Sequence, residues 1–214
     1  MTVESNKTLG GIGALLLFIG VIPFSYSWII SLVGLVLLLV ALYGFANIYK
    51  ERGIFNNFII GIIAVIAGVV VAGAIVVVSL FTTVMNFLHQ IFPTWTGDLA
   101  ALSTLTPDFS NIGIEDILPL LGELLAVFLV LCIFIIIAAF FVRRSFNSLS
   151  AKTGVGLFST GALLLFIGAV LTIVLIGFLL MWIAALLIAI AFFQIKAQPA
   201  VTTMASPPPP PTIV

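Results

Sequence analysis

Two stretches of this chain, Thr8–Tyr49 and Thr153–Ile195, run for 42 and 43 residues without a charged side chain. An α-helix rises about 1.5 Å per residue, so roughly 20 apolar residues cross the ~30 Å hydrocarbon layer of a bilayer. Each stretch has twice that length and predicts a hairpin of two spanning helices. The first breaks at Pro23-Phe24-Ser25-Tyr26-Ser27, where proline and polar side chains suit a turn at a membrane face, and this places helices near 8–23 and 27–49. The second breaks around Thr172–Gly177. Between the hairpins, Asn57 to about Phe92 reads as a third helix, and Pro119 to about Phe146 as a fourth that emerges at Arg143-Arg144. The chain is 63% hydrophobic and only 7% charged, against about a quarter charged in soluble domains, so lipid must cover what a small core cannot hide. The expected architecture is an all-α integral membrane bundle of six transmembrane helices over residues 1–196. An outer loop is expected at about 93–118, and a disordered Pro-rich cytoplasmic tail at 197–214, where Pro207–Pro211 favour polyproline II.

Orientation follows from the cations, because Lys and Arg are retained in cytoplasmic loops. In the six-span arrangement Lys7, Lys50, Arg52, Arg143, Arg144, Lys152 and Lys196 all fall on one side, and Asp98, Asp108, Glu115 and Asp116 on the other. Both termini are therefore expected in the cytoplasm of a multi-pass cell-membrane protein. Gly53 is expected to cap the second helix, Asn56 or Asn57 to start the third, and Thr153 to start the fifth. No small-x-small cleavage site follows Met1–Lys7, so the first helix reads as an uncleaved span.

The octapeptide Gly13-Ala14-Leu15-Leu16-Leu17-Phe18-Ile19-Gly20 recurs unchanged at Gly161–Gly168, and a Lys-Thr pair precedes each copy, at Lys7-Thr8 and Lys152-Thr153. From the first glycine to the closing lysine there are 38 residues in one copy (Lys50) and 36 in the other (Lys196). The pattern predicts duplication of a two-helix hairpin, helices 1–2 and 5–6, against the alternative that Leu/Ile/Gly-rich text matches itself. Both copies start on the same side, so the repeat is parallel, unlike the inverted repeats of many transporters. The strings Lys7–Gly13, Leu42–Asn57, Arg143-Arg144-Ser145-Phe146 and Lys152–Gly156 resemble a small archaeal membrane-protein family that is labelled only as a domain of unknown function. The resemblance covers roughly residues 5–196 without the outer loop. It implies an archaeal polytopic membrane protein and supplies neither an activity nor site residues.

Glu123 is the one acid inside an apolar span, and an ionisable group there is a candidate site. It lies about one turn past Pro119, where an interfacial anchor is the competing reading. Thr82, Asn86, His89 and Gln90 share one face of the third helix, and a pairing of Glu123 with His89, supported by Asn86, would form a titratable cluster able to bind a cation or pass a proton. Ala64, Gly68 and Ala72, with Gly61, and Ala185 with Ala189, form small-residue faces suited to packing within the bundle or between copies. Trp28 and Trp95 suit an interfacial aromatic belt, and the outer segment is expected to hold short helices at Asp98–Leu105 and Ile112–Leu118.

Net charge is zero and there is no basic excess to recruit nucleic acid. The single cysteine, Cys132, reads as a small buried hydrophobe. There is no GxxxxGK[ST], no His/Glu zinc spacing and no CxxC, so neither a catalytic constellation nor a cofactor or metal is expected. These absences predict a non-enzymatic structural or accessory membrane component whose partners are the lipid bilayer and itself or other membrane proteins. The alternative is a small channel or transporter for a cation or proton, working through Glu123.

Overall fold

In the computed structural model, which describes residues 2–22, 25–110 and 112–196, every regular element is helical. The expected turn residues Pro23 and Phe24 and the tail 197–214 lie outside the described residues. Helix α1 is Val3–Gly20, opened by the Thr2 hydroxyl, which accepts from the Ser5 N–H at 3.2 Å. Helix α2 is Ser27–Ile48 and α3 is Arg52–Ile91, the latter carrying a π-helical turn at Val76–Leu80. Helix α4 is Ile114–Thr153, α5 is Leu157–Leu171 with a 3₁₀ turn at Thr172–Val174, and α6 is Gly177–Gln194. Five of these, all but α1, are long and apolar enough to cross a bilayer. The first two turns of α1 carry Glu4, Asn6 and Lys7, which shortens its apolar length.

The two middle helices are longer than expected, each with 40 residues and about 60 Å in length. Backbone geometry at the connections explains this. Lys50 adopts a left-handed φ of 50°, which turns the chain within Tyr49–Glu51, so Gly53, Asn56 and Asn57 lie inside α3 and cap nothing. At the other end Gly154, at φ 73°, terminates α4 and donates its N–H to the Ser150 carbonyl at 2.9 Å. Thr153 is accordingly the last residue of α4, its hydroxyl donating to the Leu149 carbonyl at 2.8 Å, and does not open α5. Of the short outer helices, the first is a 3₁₀ turn at Leu99–Thr104 and the second has merged into α4.

Each helix packs on the next, α1 on α2 through to α5 on α6, and α6 returns to pack on α1, so the six form a closed ring. At the lysine end the ring is filled by Phe45, Phe58, Phe146, Phe158 and Phe192, one from each helix except the first. Phe158 and Phe192 meet edge-on at 4.8 Å between centroids, a favoured aromatic geometry. Helix α1 contributes a glycine: a Cβ at Gly10 would stand 2.5 Å from the Phe192 ring. Further along the axis, Ala14, Leu38, Phe58, Val142, Leu165 and Ala185, one from each helix, line a small cavity of about 170 Å³.

Glycines set how closely the helices approach. A Cβ at Gly13 would meet the Leu38 nitrogen at 2.7 Å and the Gly34 oxygen at 2.8 Å, and one at Gly168 would meet the Gly177 oxygen at 2.8 Å. On α3, Gly61 faces Val142 and Gly68 faces Phe134, while Ala72 and Ala189 are buried. These small faces are used for packing within the chain. Arg143 and Arg144 do not mark the end of α4. They lie ten and nine residues before Thr153, with their guanidinium groups 5.4 and 5.7 Å from the Phe166 and Phe140 rings, within cation–π range.

Candidate functional site

Beyond the π-helical turn, α3 and α4 continue side by side, and here Glu123 finds its partner. Ser79, carried by that turn, donates its hydroxyl to Glu123 Oε1, and both residues are half-buried. The turn is defined by the Phe81 N–H reaching back five residues to the Val76 carbonyl. Single π turns inside α-helices frequently accompany functional positions. A hydrogen-bonded carboxylate beside an apolar run is also far less costly than a bare one.

The expected pairing with His89 does not form. His89 Nδ1 lies 2.8 Å from the Met85 carbonyl of its own helix, and its ring packs against Trp95 at 4.8 Å. The helical rise explains the separation: Ser79 and His89 are ten residues apart, about 15 Å along the axis. Asn86 goes to a different place again, a pocket of about 240 Å³ that it lines with Thr83, Gln90, Glu115, Asp116 and Pro119. There Gln90 donates to Asp116 Oδ1 at 3.0 Å, while Asp116 Oδ2 accepts from the Gly113 N–H at 2.9 Å and so caps α4. Thr82 bonds back to the Val78 carbonyl. The proposed cluster is thus three separate local arrangements.

Trp95 is buried rather than interfacial. Only 4% exposed, it donates its indole N–H to the Asp98 carbonyl at 2.6 Å and folds the outer segment onto His89. Trp28 is 67% exposed. In the outer segment the hydroxyl of Ser110, and then its backbone N–H, bond Asp108 and hold that carboxyl below its ordinary value. Among the described residues, no group of three or more His, Cys, Asp or Glu side chains stands close enough to hold a metal ion.

Two buried polar residues escaped the sequence reading. Asn6, fully buried against Gly44, has no hydrogen-bond partner among the described residues for either its oxygen or its nitrogen. Ser145, also fully buried, donates to the Ile54 carbonyl and pins α4 to the start of α3. Neither belongs to a chemical motif, so the sequence gives no signal of their burial. Among the described residues, the ion pairs around this end are Lys7–Glu4 at 3.8 Å and Lys152–Glu51 at 3.6 Å, both partly exposed and therefore worth little.

The chain matches a family described as "Protein of unknown function (DUF996)" over residues 30–186. It is 27% identical over 195 residues to an uncharacterized protein, MJ1644, of Methanocaldococcus jannaschii, a similarity that covers 91% of this chain and 94% of the relative. No solved structure matches it.

Proposed function

Because the chain belongs to the DUF996 family, whose function is unknown, we propose its role from its architecture: a non-enzymatic structural or accessory component of a cell membrane, crossing six times with both termini in the cytoplasm. One observation carries this reading. Among the described residues, the axis of the six-helix ring is lined by hydrocarbon and aromatic side chains from the five phenylalanines to the small cavity, the buried polar side chains Asn6, Ser145 and Thr172 sitting instead against Gly44 and on the Ile54 and Gly168 carbonyls, so the axis offers an ion little polar foothold. Glu123 stands on the outer side of that interior, bonded to Ser79.

The two long helices support the topology. Glu123 precedes Arg143 by twenty residues, about 30 Å, the thickness of the hydrocarbon layer. The run Leu124–Val142 between them is uncharged. The arginines would mark the inner boundary and the Ser79–Glu123 bond the outer one. Descent of α1–α2 and α5–α6 from one duplicated hairpin is supported by matching details: Ala14 and Ala162 are both buried, and at the last glycine of each octapeptide, Gly20 approaches Ser31 and Gly168 approaches Gly177.

The test is a flux assay on purified protein in liposomes, paired with labelling of single cysteines at Ser27, Ser103 and Ser148 in a background lacking Cys132. Absence of selective or saturable cation or proton flux is expected, with position 148 protected from an impermeant reagent added outside. Selective conduction would overturn the accessory role, and outside labelling of position 148 the orientation.

A further inference from the structure

A broad hollow lies at the lysine end of the protein, away from the Ser79–Glu123 pair. It is a concave pocket of about 720 Å³, walled by Lys7 of α1, the Thr153–Gly156 turn between α4 and α5, and the last residues of α6 from Phe193 to Lys196. Among the described residues its charged linings are the cations Lys7 and Lys196, with no carboxylate. Lys196 has no ion pair among the described residues, and Lys7 has only the loose one to Glu4, which is itself 59% exposed. The Gly154 and Val155 N–H groups of the turn are already engaged by the Ser150 carbonyl and the Thr153 hydroxyl, so the two ammonium groups set the charge of the pocket. The pocket's chemistry is that of an anion site.

What adjoins the pocket narrows the source of the anion. From Gly156 upward, α5 presents Thr160, Leu163, Ile167 and Val170, all exposed and spaced on one helical face. On α6, Ile190 and Phe193 are likewise exposed, at 41% and 45%. A free phosphate would leave these apolar surfaces bare, whereas a lipid would place its phosphate among the lysines and its chains along them. Basic pockets between helices on the cytoplasmic side bind anionic headgroups in this manner. We infer that the Lys7–Lys196 pocket is a binding site for the phosphate-bearing headgroup of an anionic membrane lipid of the inner leaflet. The inference rests on the membrane topology proposed above.

The experiment uses the full chain in a neutral detergent, titrated separately with phosphatidylglycerol, phosphatidylcholine and inorganic phosphate, and read by native mass spectrometry and by the thermal unfolding midpoint. One phosphatidylglycerol should bind at least tenfold more tightly than phosphatidylcholine and raise the midpoint. The double variant Lys7→Gln/Lys196→Gln should weaken that binding about tenfold or more, while Lys7→Arg/Lys196→Arg, which keeps the charge, should retain it and show that the site tolerates substitution. The control Lys50→Gln/Arg52→Gln, at the same end but outside the pocket, should bind like the parent. Equal affinity for the two lipids, an unchanged Lys7→Gln/Lys196→Gln variant, or an equal loss in the control would each overturn the site. An equal midpoint shift from inorganic phosphate alone would overturn the lipid as its occupant. These comparisons are made in micelles, so outside labelling of position 148 would refute the topology without altering their outcome.

Discussion

Adding a single methyl group at Gly13 tests the claim that glycine contacts hold the ring together. The new Cβ would meet the Leu38 nitrogen at 2.7 Å and the Gly34 oxygen at 2.8 Å. Both are backbone atoms of a packed helix and cannot rotate away. Reaching even the 3.4 Å edge of ordinary contact requires α1 and α2 to separate by about 0.7 Å, a gap that forfeits a quarter to a half of each contact's attraction. Spread over the interface, this gives a loss of about 2 kcal/mol, offset by up to ~1 kcal/mol from alanine's better helix propensity. Gly34→Ala faces the reciprocal clash, 2.8 Å from the Gly13 oxygen, and should cost the same. The double variant should cost less than the sum, because the first methyl has already moved the helices apart. Gly73→Ala and Gly122→Ala are the controls: no atom lies within 4 Å of either added Cβ, so they should be neutral or stabilising by up to ~1 kcal/mol. The assay is equilibrium unfolding in mixed micelles, followed by helical ellipticity. If Gly13→Ala and Gly34→Ala fall within about 0.5 kcal/mol of the controls, close backbone approach is not what joins these helices.

Phe192→Ala removes the ring that touches Phe45, Phe146 and Phe158 and should cost about 3–5 kcal/mol in the same assay; a loss below 1 kcal/mol would show that the phenylalanine layer collapses to fill the space. Leu175 holds a left-handed φ of 64° in the α5–α6 turn, so Leu175→Gly should stabilise by up to about 1 kcal/mol, and destabilisation would mean that its exposed side chain contributes more than its strain. A double-mutant cycle with Ser79→Ala and Glu123→Gln should yield a coupling of about 1 kcal/mol, while pairing Glu123→Gln with a change at His89 should yield none.

The helical class and the hairpin at Thr172–Gly177 were legible in the sequence because charge-free length is a one-dimensional property. The helix ends were less so. Gly53 and Thr153 are good capping residues by type, yet Lys50 and Gly154 make the turns, and a left-handed lysine leaves no mark in composition. Glu123 was visible as an acid out of place, but its partner was sought among the side chains with the most chemistry. The π-helical turn that carries Ser79 comes from Val76-Val77-Val78-Ser79-Leu80, which reads as ordinary apolar helix. Trp95 was misplaced for a related reason: aromatic type suggests an interface, while its burial depends on how the outer loop folds back.

The return of α6 onto α1 has a consequence for how the protein is made. The glycines of α1 that receive Phe192 and Phe193 lie on the first of the six described helices to be synthesised, and their partners on the last of the six. Until then the nascent chain is an open arc whose seam can only face lipid or an assisting protein, and the aromatic layer lacks its central ring. Closure is therefore a single late event, the docking of the final hairpin, and it joins Phe18 to Trp182 across 164 positions of sequence. Because that seam brings the beginning and end of the helical region together at one pole, cutting the chain at another connection and linking the old ends would convert this slowest contact into the most local one.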